Sequence, residues 1–251
     1  MQILIFFSNM KIISNFLKTT LLLASIGLFL VSCSKPSSST DETKDRGHEM
    51  PDKVVFIVTN MATKEQQKRE ANKSPKGIQY DISDPIVWKS GQDYLFEIIY
   101  YNNGRRLNGE FVTEKMAPIH QHFFELYQGE YPKNTEGREK MVSTMNSLVS
   151  YKYQDTNPEN AYLGNEGVSL LKRTWDKKNP QENDPIGLKG IFTINQNPTE
   201  GDFRLRIKLA HFLVANKLEP STGKIRPYNV MIYSNAFVLD SNMELLIKLI
   251  K

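Results

Sequence analysis

Cysteine is almost absent from this chain of 251 residues, because Cys33 is the only one. A single cysteine excludes an internal disulfide and any zinc site built from several thiolates. The sequence also lacks a Gly-x-Ser-x-Gly nucleophile elbow and the His-Glu-x-x-His pattern of zinc proteases. It has no dense block of lysine and arginine with interleaved aromatics, which argues against a nucleic-acid partner. These absences favour a protein that is not an enzyme.

The N-terminal segment has the pattern of a secretory signal. Lys11 and Lys18 flank an apolar core at 21–31, which is shorter than the roughly 20 residues that a bilayer span needs. The sequence Leu-Val-Ser-Cys that ends this core resembles a bacterial lipobox, after which a signal peptidase cuts. We therefore expect residues 1–32 to be removed as a lipoprotein signal peptide and Cys33 to carry fatty acyl chains such as palmitate.

The segment after the lipobox is polar and is expected to be a flexible tether. Residues 33–52 contain almost no apolar side chains, and such a segment cannot offset the entropy cost of ordering. Removal of the signal lowers the net charge from +4 to +2, because residues 1–32 contain two lysines and no acidic residue. Residues 53–251 are then enough for one domain with a sizeable core. The expected location is the cell envelope, with a lipid anchor in the outer membrane.

Short runs of alternating apolar and polar residues predict strands in this domain. In the clearest run, 203–213, Arg204 and Arg206 alternate with apolar residues. The Asn-Gly step that follows 94–101 predicts a tight hairpin turn, because both residues tolerate a positive φ. Further strands are predicted at 54–59, 119–127, 149–153, 188–194, 230–239 and 244–250. A short C-terminal helix is the alternative for the last of these.

One segment has helical spacing instead. Met141, Met145 and Leu148 follow a Thr135-Glu136 start signal, which predicts a helix here. Residues 158–185 form a second interruption, whose role the sequence leaves open. Many strands with turn signals between them predict an all-β fold, an immunoglobulin-like β-sandwich with small helical insertions.

The histidines carry most of the functional information. His120 and His122 are two residues apart in Ile-His-Gln-His-Phe-Phe, so in a strand they share one face, about 6.6 Å apart. His211 is in phase with the apolar face of 203–213, near the end of that strand. If the two strands are antiparallel neighbours, His211 approaches His120 and His122. The three imidazoles are then predicted to bind zinc or copper, and haem is less favoured.

Three histidines leave a fourth coordination position open. His48, or Glu49 beside it, could fill this position if the tether folds back. We therefore include His48 in the predicted metal site. Weaker candidates for the same role are Glu97, Glu114 and Met50.

Two other interpretations stay open at the level of sequence. A histidine on an apolar face is often a buried group that simply bonds to the backbone. Surface lipoproteins also bind glycans on aromatic platforms, although aromatic side chains more often serve core packing. The aromatic candidates are Trp88, Trp175, Tyr94, Tyr100 and Tyr101. A structural or adhesion module without a small ligand is the third interpretation.

Four short motifs resemble a family of Bacteroidetes envelope lipoproteins associated with TonB-dependent outer-membrane receptors. They are the Ile-His-Gln-His-Phe-Phe run, then 149–157, then Pro-Ile-Gly-Leu at 185–188, then 205–212 followed by Asn216-Lys217. The resemblance extends over 53–251, with two departures. An insertion separates the second and third motifs, and Lys-Leu-Ala-His replaces the usual Leu-Arg-His. The resemblance implies a β-sandwich and uptake of a metal or metal complex through a TonB-dependent receptor.

Overall fold

The structure is a computed structural model that describes residues 49–74, 77–80, 84–174, 183–212, 217–219, 222–230 and 237–251. The predicted signal peptide, the lipidation site Cys33, the candidate ligand His48 and the aromatic candidate Trp175 lie outside these residues. Among the described helices, none is both long enough and apolar enough to cross a bilayer.

Strands dominate the described chain. They are β1 (Lys53–Asn60), β2 (Gln66–Ser74), β3 (Gly77–Tyr80), β4 (Ile86–Lys89), β5 (Asp93–Asn102), β6 (Arg105–Arg106), β7 (His120–Tyr127), β8 (Val149–Tyr153), β9 (Thr156–Asn157), β10 (Ser169–Leu170), β11 (Lys189–Ile194), β12 (Gly201–Phe212) and β13 (Phe237–Ile250). The helices are the short α1 (Asn108–Phe111), a 3-10 turn (Ala117–Ile119) and α2 (Thr135–Leu148).

Two sheets make up the domain. The larger has the strand order β3-β2-β1-β5-β11-β8, with β6 paired to β5, and the smaller has the order β4-β13-β12-β7. A two-stranded ribbon, β9 with β10, lies outside both. All pairs are antiparallel except β4 with β13.

The hydrophobic core lies between the two sheets. Phe96 and Phe192 come from the larger sheet and Phe124 from the smaller, and their ring centroids are 5.4–6.0 Å apart with edge-on geometry. Edge-on contacts of this kind are favourable because the positive edge of one ring meets the negative face of another. The core also contains the inward residues of β12, from Phe203 to Leu209. The predicted all-β sandwich is confirmed.

Most predicted elements occupy their expected positions. The hairpin after β5 turns through Asn103 and Gly104, with φ angles of 49° and 77°. The helix α2 begins after Asn134, whose side chain accepts a hydrogen bond from the Gly137 amide, and it buries the three predicted apolar residues.

The C-terminal predictions need correction. The helical alternative for 244–250 is wrong, because these residues belong to the long strand β13. The bounds predicted for a separate strand at 230–239 are also wrong. Val230 lies outside any strand, β13 begins at Phe237, and 231–236 are outside the described residues.

Candidate metal centre

The backbone register brings two of the predicted histidines face to face. Strands β7 and β12 pair in antiparallel fashion, with His211 directly opposite His120 and Leu209 opposite His122. Directly opposed side chains lie on the same face of an antiparallel pair. That face is the buried one, because it continues through Phe124 and Leu126 into the core. The predicted meeting of the two strand ends is therefore confirmed.

A β-bulge adds an aspartate to this pair. In the pairing of β13 with β12, Ser241 lies opposite Leu209 but Leu239 lies opposite Ala210, so Asp240 is an extra residue. A bulge of this kind re-aims side chains relative to regular alternation. The Asp240 side chain is 3% exposed, whereas its neighbour Leu239 is 37% exposed.

The three side chains form a buried cluster. The Oδ2 atom of Asp240 lies 3.0 Å from Nε2 of His120 and 3.3 Å from Nδ1 of His211. The two imidazole rings meet edge to face, with centroids 4.6 Å apart. One ligand atom from each residue lies within 4.8 Å of the others, and all three residues are buried. The chemistry of the set, two imidazole nitrogens and a carboxylate oxygen, suits zinc or copper.

A backbone contact sets the orientation of His120. Its Nδ1 atom lies 2.8 Å from the carbonyl oxygen of Met116. A carbonyl only accepts hydrogen bonds, so Nδ1 carries a proton and donates it. Nε2 then faces the Asp240 carboxylate, and the space between these two electron-rich atoms requires either a proton or a metal ion. A histidine held through its other nitrogen by a carbonyl is the usual arrangement of a metal ligand.

His122 is not part of this cluster. Its Nδ1 lies 2.9 Å from the carbonyl oxygen of Ile186, and its Nε2 lies 2.7 Å from the hydroxyl of Tyr100. By the same reasoning Nδ1 donates to the carbonyl, and Nε2 accepts from the tyrosine. Burial lowers the pKa of His122 to about 3, so the ring is neutral. The structure therefore gives this member of the His-x-His pair a hydrogen-bonding role.

Tyr100 connects His122 to the strand that carries the aspartate. Its hydroxyl lies 3.3 Å from Oγ of Ser241, the residue that follows Asp240. Burial raises the pKa of Tyr100, which keeps the hydroxyl protonated and able to donate. The Tyr100 hydroxyl thus bridges β7 and the bulge of β13 from within the core.

The weaker ligand candidates are placed elsewhere, with one exception. The carboxylate of Glu49 contacts Arg105 at 2.9 Å, and that of Glu97 lies 3.5 Å from Nζ of Lys189. Glu114 is exposed. Met50, in contrast, lines a cavity that Asp240 also lines.

This cavity has a volume of about 260 Å³. Its walls are Met50, Pro51, Lys73 and the stretch of β13 from Leu239 to Met243. Of the three cluster residues, only Asp240 lines it.

The aromatic candidates for glycan binding are largely buried. Trp88, Tyr94 and Tyr100 are at most 2% exposed and belong to the core. A sugar stacks on an exposed ring face, so these three residues do not form a platform. Tyr101 is half-buried.

The sequence pattern does not identify Asp240 as a candidate ligand. In regular alternation from Leu245 through Met243, the inward positions would be Ser241 and Leu239, with Asp240 outward. The bulge reverses this assignment, and the residues Leu-Asp-Ser-Asn contain no pattern that predicts a bulge.

No protein-family model and no curated protein matches this chain. Its fold and site define a β-sandwich with a buried histidine–histidine–aspartate cluster at one end of the smaller sheet.

Proposed function

We propose that this protein is a lipid-anchored envelope protein that binds one transition-metal ion, zinc or copper, at His120, His211 and Asp240. It would exchange this ion with an outer-membrane receptor of the TonB-dependent class. The observation that supports metal binding is the convergence of His120 Nε2 and His211 Nδ1 on a single oxygen of Asp240.

The spacing of the ligand atoms is close to what a metal ion requires. Zinc bonds of about 2.0–2.1 Å place neighbouring ligand atoms of a tetrahedral site about 3.3 Å apart. The two separations that involve Asp240 Oδ2 are 3.0 and 3.3 Å. Small side-chain shifts would therefore admit an ion, which would replace the proton between His120 and Asp240.

Three protein ligands leave a fourth position for exchange. Closed sites with four protein ligands hold zinc for structural purposes, whereas open sites keep a position for another ligand. The adjoining cavity of about 260 Å³ is smaller than the roughly 300–1,000 Å³ of small-molecule sites. This size favours a bare ion over haem.

The two histidines of the motif provide a matched test. His120→Asn and His122→Asn each keep a donor near the position of Nδ1, which bonds to Met116 or Ile186, and each remove Nε2. We expect His120→Asn to lower zinc and copper affinity by about 100-fold or more, because it removes a ligand. We expect His122→Asn to bind both metals as the parent chain does.

The measurement is a competition titration against a chromophoric chelator, with circular dichroism to verify that both variants fold. Metal affinity that is unchanged in a folded His120→Asn variant would show that the ion is not held here. Loss of binding only in His122→Asn would assign the site to the other histidine.

The proposed transport role rests on the lipobox and on the family resemblance. A growth experiment with whole cells tests it separately from metal binding. A strain without the gene should grow poorly when zinc and copper are scarce, and the parent gene should restore growth. The His120→Asn gene should fail to do so. Full restoration by His120→Asn would contradict a role for this site in metal supply.

A further inference from the structure

We propose that the outer face of the larger sheet binds an acidic saccharide, a sugar chain with carboxylate groups, at Lys53, Asn72 and Tyr101. The candidate metal centre is built on strands of the smaller sheet, so the two sites share no residue. Saccharide binding is therefore a second function of the same domain, and it does not depend on the proposed metal binding.

The three side chains form a row across three neighbouring strands. Lys53 on β1 lies directly opposite Asn72 on β2 and directly opposite Tyr101 on β5. Side chains at directly opposed positions of antiparallel strands lie on the same face of the sheet. That face is the outer one, because the adjacent positions Val54 and Tyr100 belong to the core. Neighbouring strands are about 4.8 Å apart, so the row spans about 10 Å from β2 to β5.

The row lines a cavity of about 540 Å³, which is within the roughly 300–1,000 Å³ of small-molecule sites. The other lining residues are Asp52 just before β1, Lys73 near the end of β2 and Gly104 in the hairpin turn after β5. Apart from the glycine, every lining side chain can donate or accept a hydrogen bond. This polar lining suits the hydroxyl groups of a sugar.

Tyr101 supplies the aromatic surface of the cavity. Of the four aromatic candidates that the structure describes, it alone lies outside the core, and it is half-buried. The face of an aromatic ring carries partial negative charge and attracts the weakly positive C–H groups of a sugar. Nζ of Lys53 lies 5.5 Å from the centroid of this ring. A sugar that packs against Tyr101 would therefore bring a carboxylate close to a lysine ammonium group.

The charges around the cavity favour an acidic sugar over a neutral one. The Glu70 carboxylate lies 2.6 Å from Nζ of Lys68 and 3.2 Å from Nζ of Lys53, and hydrogen bonds from these lysines lower its pKa. Oδ2 of Asp52 accepts a hydrogen bond from a backbone amide of the hairpin turn at 2.8 Å. Within the described part of the chain, Lys73 forms no ion pair. Three lysines thus accompany two carboxylates that already have partners, which leaves positive charge for an anionic ligand.

The first test is a calorimetric titration of the full chain, in detergent micelles, with an oligosaccharide of galacturonate. Its methyl ester is the matched neutral ligand, because it keeps the sugar rings and removes the negative charges. We expect the acid to bind about fivefold or more tightly than the ester, and high salt to weaken the binding of the acid. Equal affinity for acid and ester, or no binding of the acid, would overturn the proposal.

Substitutions then locate the site. Tyr101→Ala removes the ring and should lower the affinity for the acid by about tenfold, whereas Tyr101→Phe keeps the ring and should retain most of the affinity. Lys73→Gln should lower the affinity by about threefold. Lys140→Gln, which removes the same charge from an exposed position on α2, should bind as the parent chain does.

Circular dichroism verifies that these variants fold. Affinity for the acid that is unchanged in a folded Tyr101→Ala variant, or in Lys73→Gln, would show that the saccharide binds elsewhere and would overturn the assignment.

A chelator and the variant His120→Asn separate this site from the metal centre. Neither should change the affinity for the saccharide, because no lining residue of the cavity belongs to the metal cluster. Loss of saccharide binding on either treatment would show that the ligand is held through the metal centre, and the second site would then be wrong. Saccharide binding that persists in a chain without metal affinity would leave this site standing and the proposed metal function wrong.

Discussion

The hydroxyl of Tyr100 lies 2.7 Å from Nε2 of His122, and this contact gives the two histidines of one motif different roles. His122 is held between Tyr100 and the Ile186 carbonyl, deep in the sandwich. His120, two residues earlier on the same strand face, directs the equivalent nitrogen toward Asp240 instead. The pattern His-x-His therefore contains one candidate ligand and one core residue.

Tyr100→Phe tests this separation of roles. The change removes the donor to His122 and leaves a buried nitrogen without its partner, which should lower the free energy of unfolding by about 1–3 kcal/mol. Because no member of the cluster is touched, metal affinity should change by less than about threefold. Urea unfolding and a metal titration measure the two effects. A loss of metal affinity as large as that of His120→Asn would contradict the separation.

Asp240→Asn tests the contribution of the bulge residue to metal binding. Zinc or copper at about 100 times its Kd should stabilise the parent chain by about 2.7 kcal/mol, because it binds only the folded state. The amide is nearly the same size as the carboxylate but removes the anionic ligand, so most of this gain should disappear. Thermal unfolding with and without metal measures it. An undiminished gain in the variant would exclude Asp240 as a ligand.

Gly187→Ala should disturb the position of His122. Gly187 has a φ of +82°, and an added Cβ would lie 2.9 Å from Cβ of His122 and 2.9 Å from the Tyr153 ring. We expect a loss of about 3 kcal/mol or more in the free energy of unfolding, from the strained backbone and the contact together.

Gly164→Ala is the matched control for this change. Gly164 has a φ of +92°, but nothing lies within 4 Å of an added Cβ. Only the backbone cost of about 1–2 kcal/mol should remain. Equal losses in the two variants would show that the contact with His122 and Tyr153 costs nothing. Denaturant unfolding of both variants makes the comparison.

Asp155 should give the stability a specific pH dependence. Its carboxylate accepts hydrogen bonds from the amides of Ile186, Gly187 and Lys189, at 2.8–3.0 Å. Burial nevertheless raises its pKa from 3.8 to about 6. Between about pH 4 and pH 6 the folded state then holds the proton more tightly than the unfolded state does, so this group favours folding at low pH. Its contribution, about 3 kcal/mol, is lost as the pH rises through about 6.

The non-titrating variant Asp155→Asn isolates this effect. The free energy of unfolding of the parent chain, relative to that of the variant, should fall between pH 4 and pH 7. Urea unfolding at several pH values measures the difference. Parallel profiles for the two proteins would show that the carboxyl group has the same pKa in the folded and unfolded states.

Local patterns predicted the strands that bury one face. In β12, apolar residues alternate with Arg204 and Arg206, and the structure places them inside and outside as expected. The sequence pattern does not predict the strand β2, Gln66–Ser74, because its residues are almost wholly polar. Among those whose burial the structure describes, Ala71 alone belongs to the core. The segment is a strand because β1 pairs with it along seven positions. That pairing supplies backbone hydrogen bonds that no local pattern encodes.

The sequence by itself determined that His120 and His122 share a face and that His211 is in phase with a buried strand face, because side chains alternate with a period of two. Only the tertiary structure decided which histidine meets a carboxylate. The register of β7 with β12 sets His211 against His120, and the bulge in β13 turns Asp240 inward beside them. Both depend on pairing between strands that are far apart in the chain, and a bulge reverses the alternation from which a sequence pattern is read.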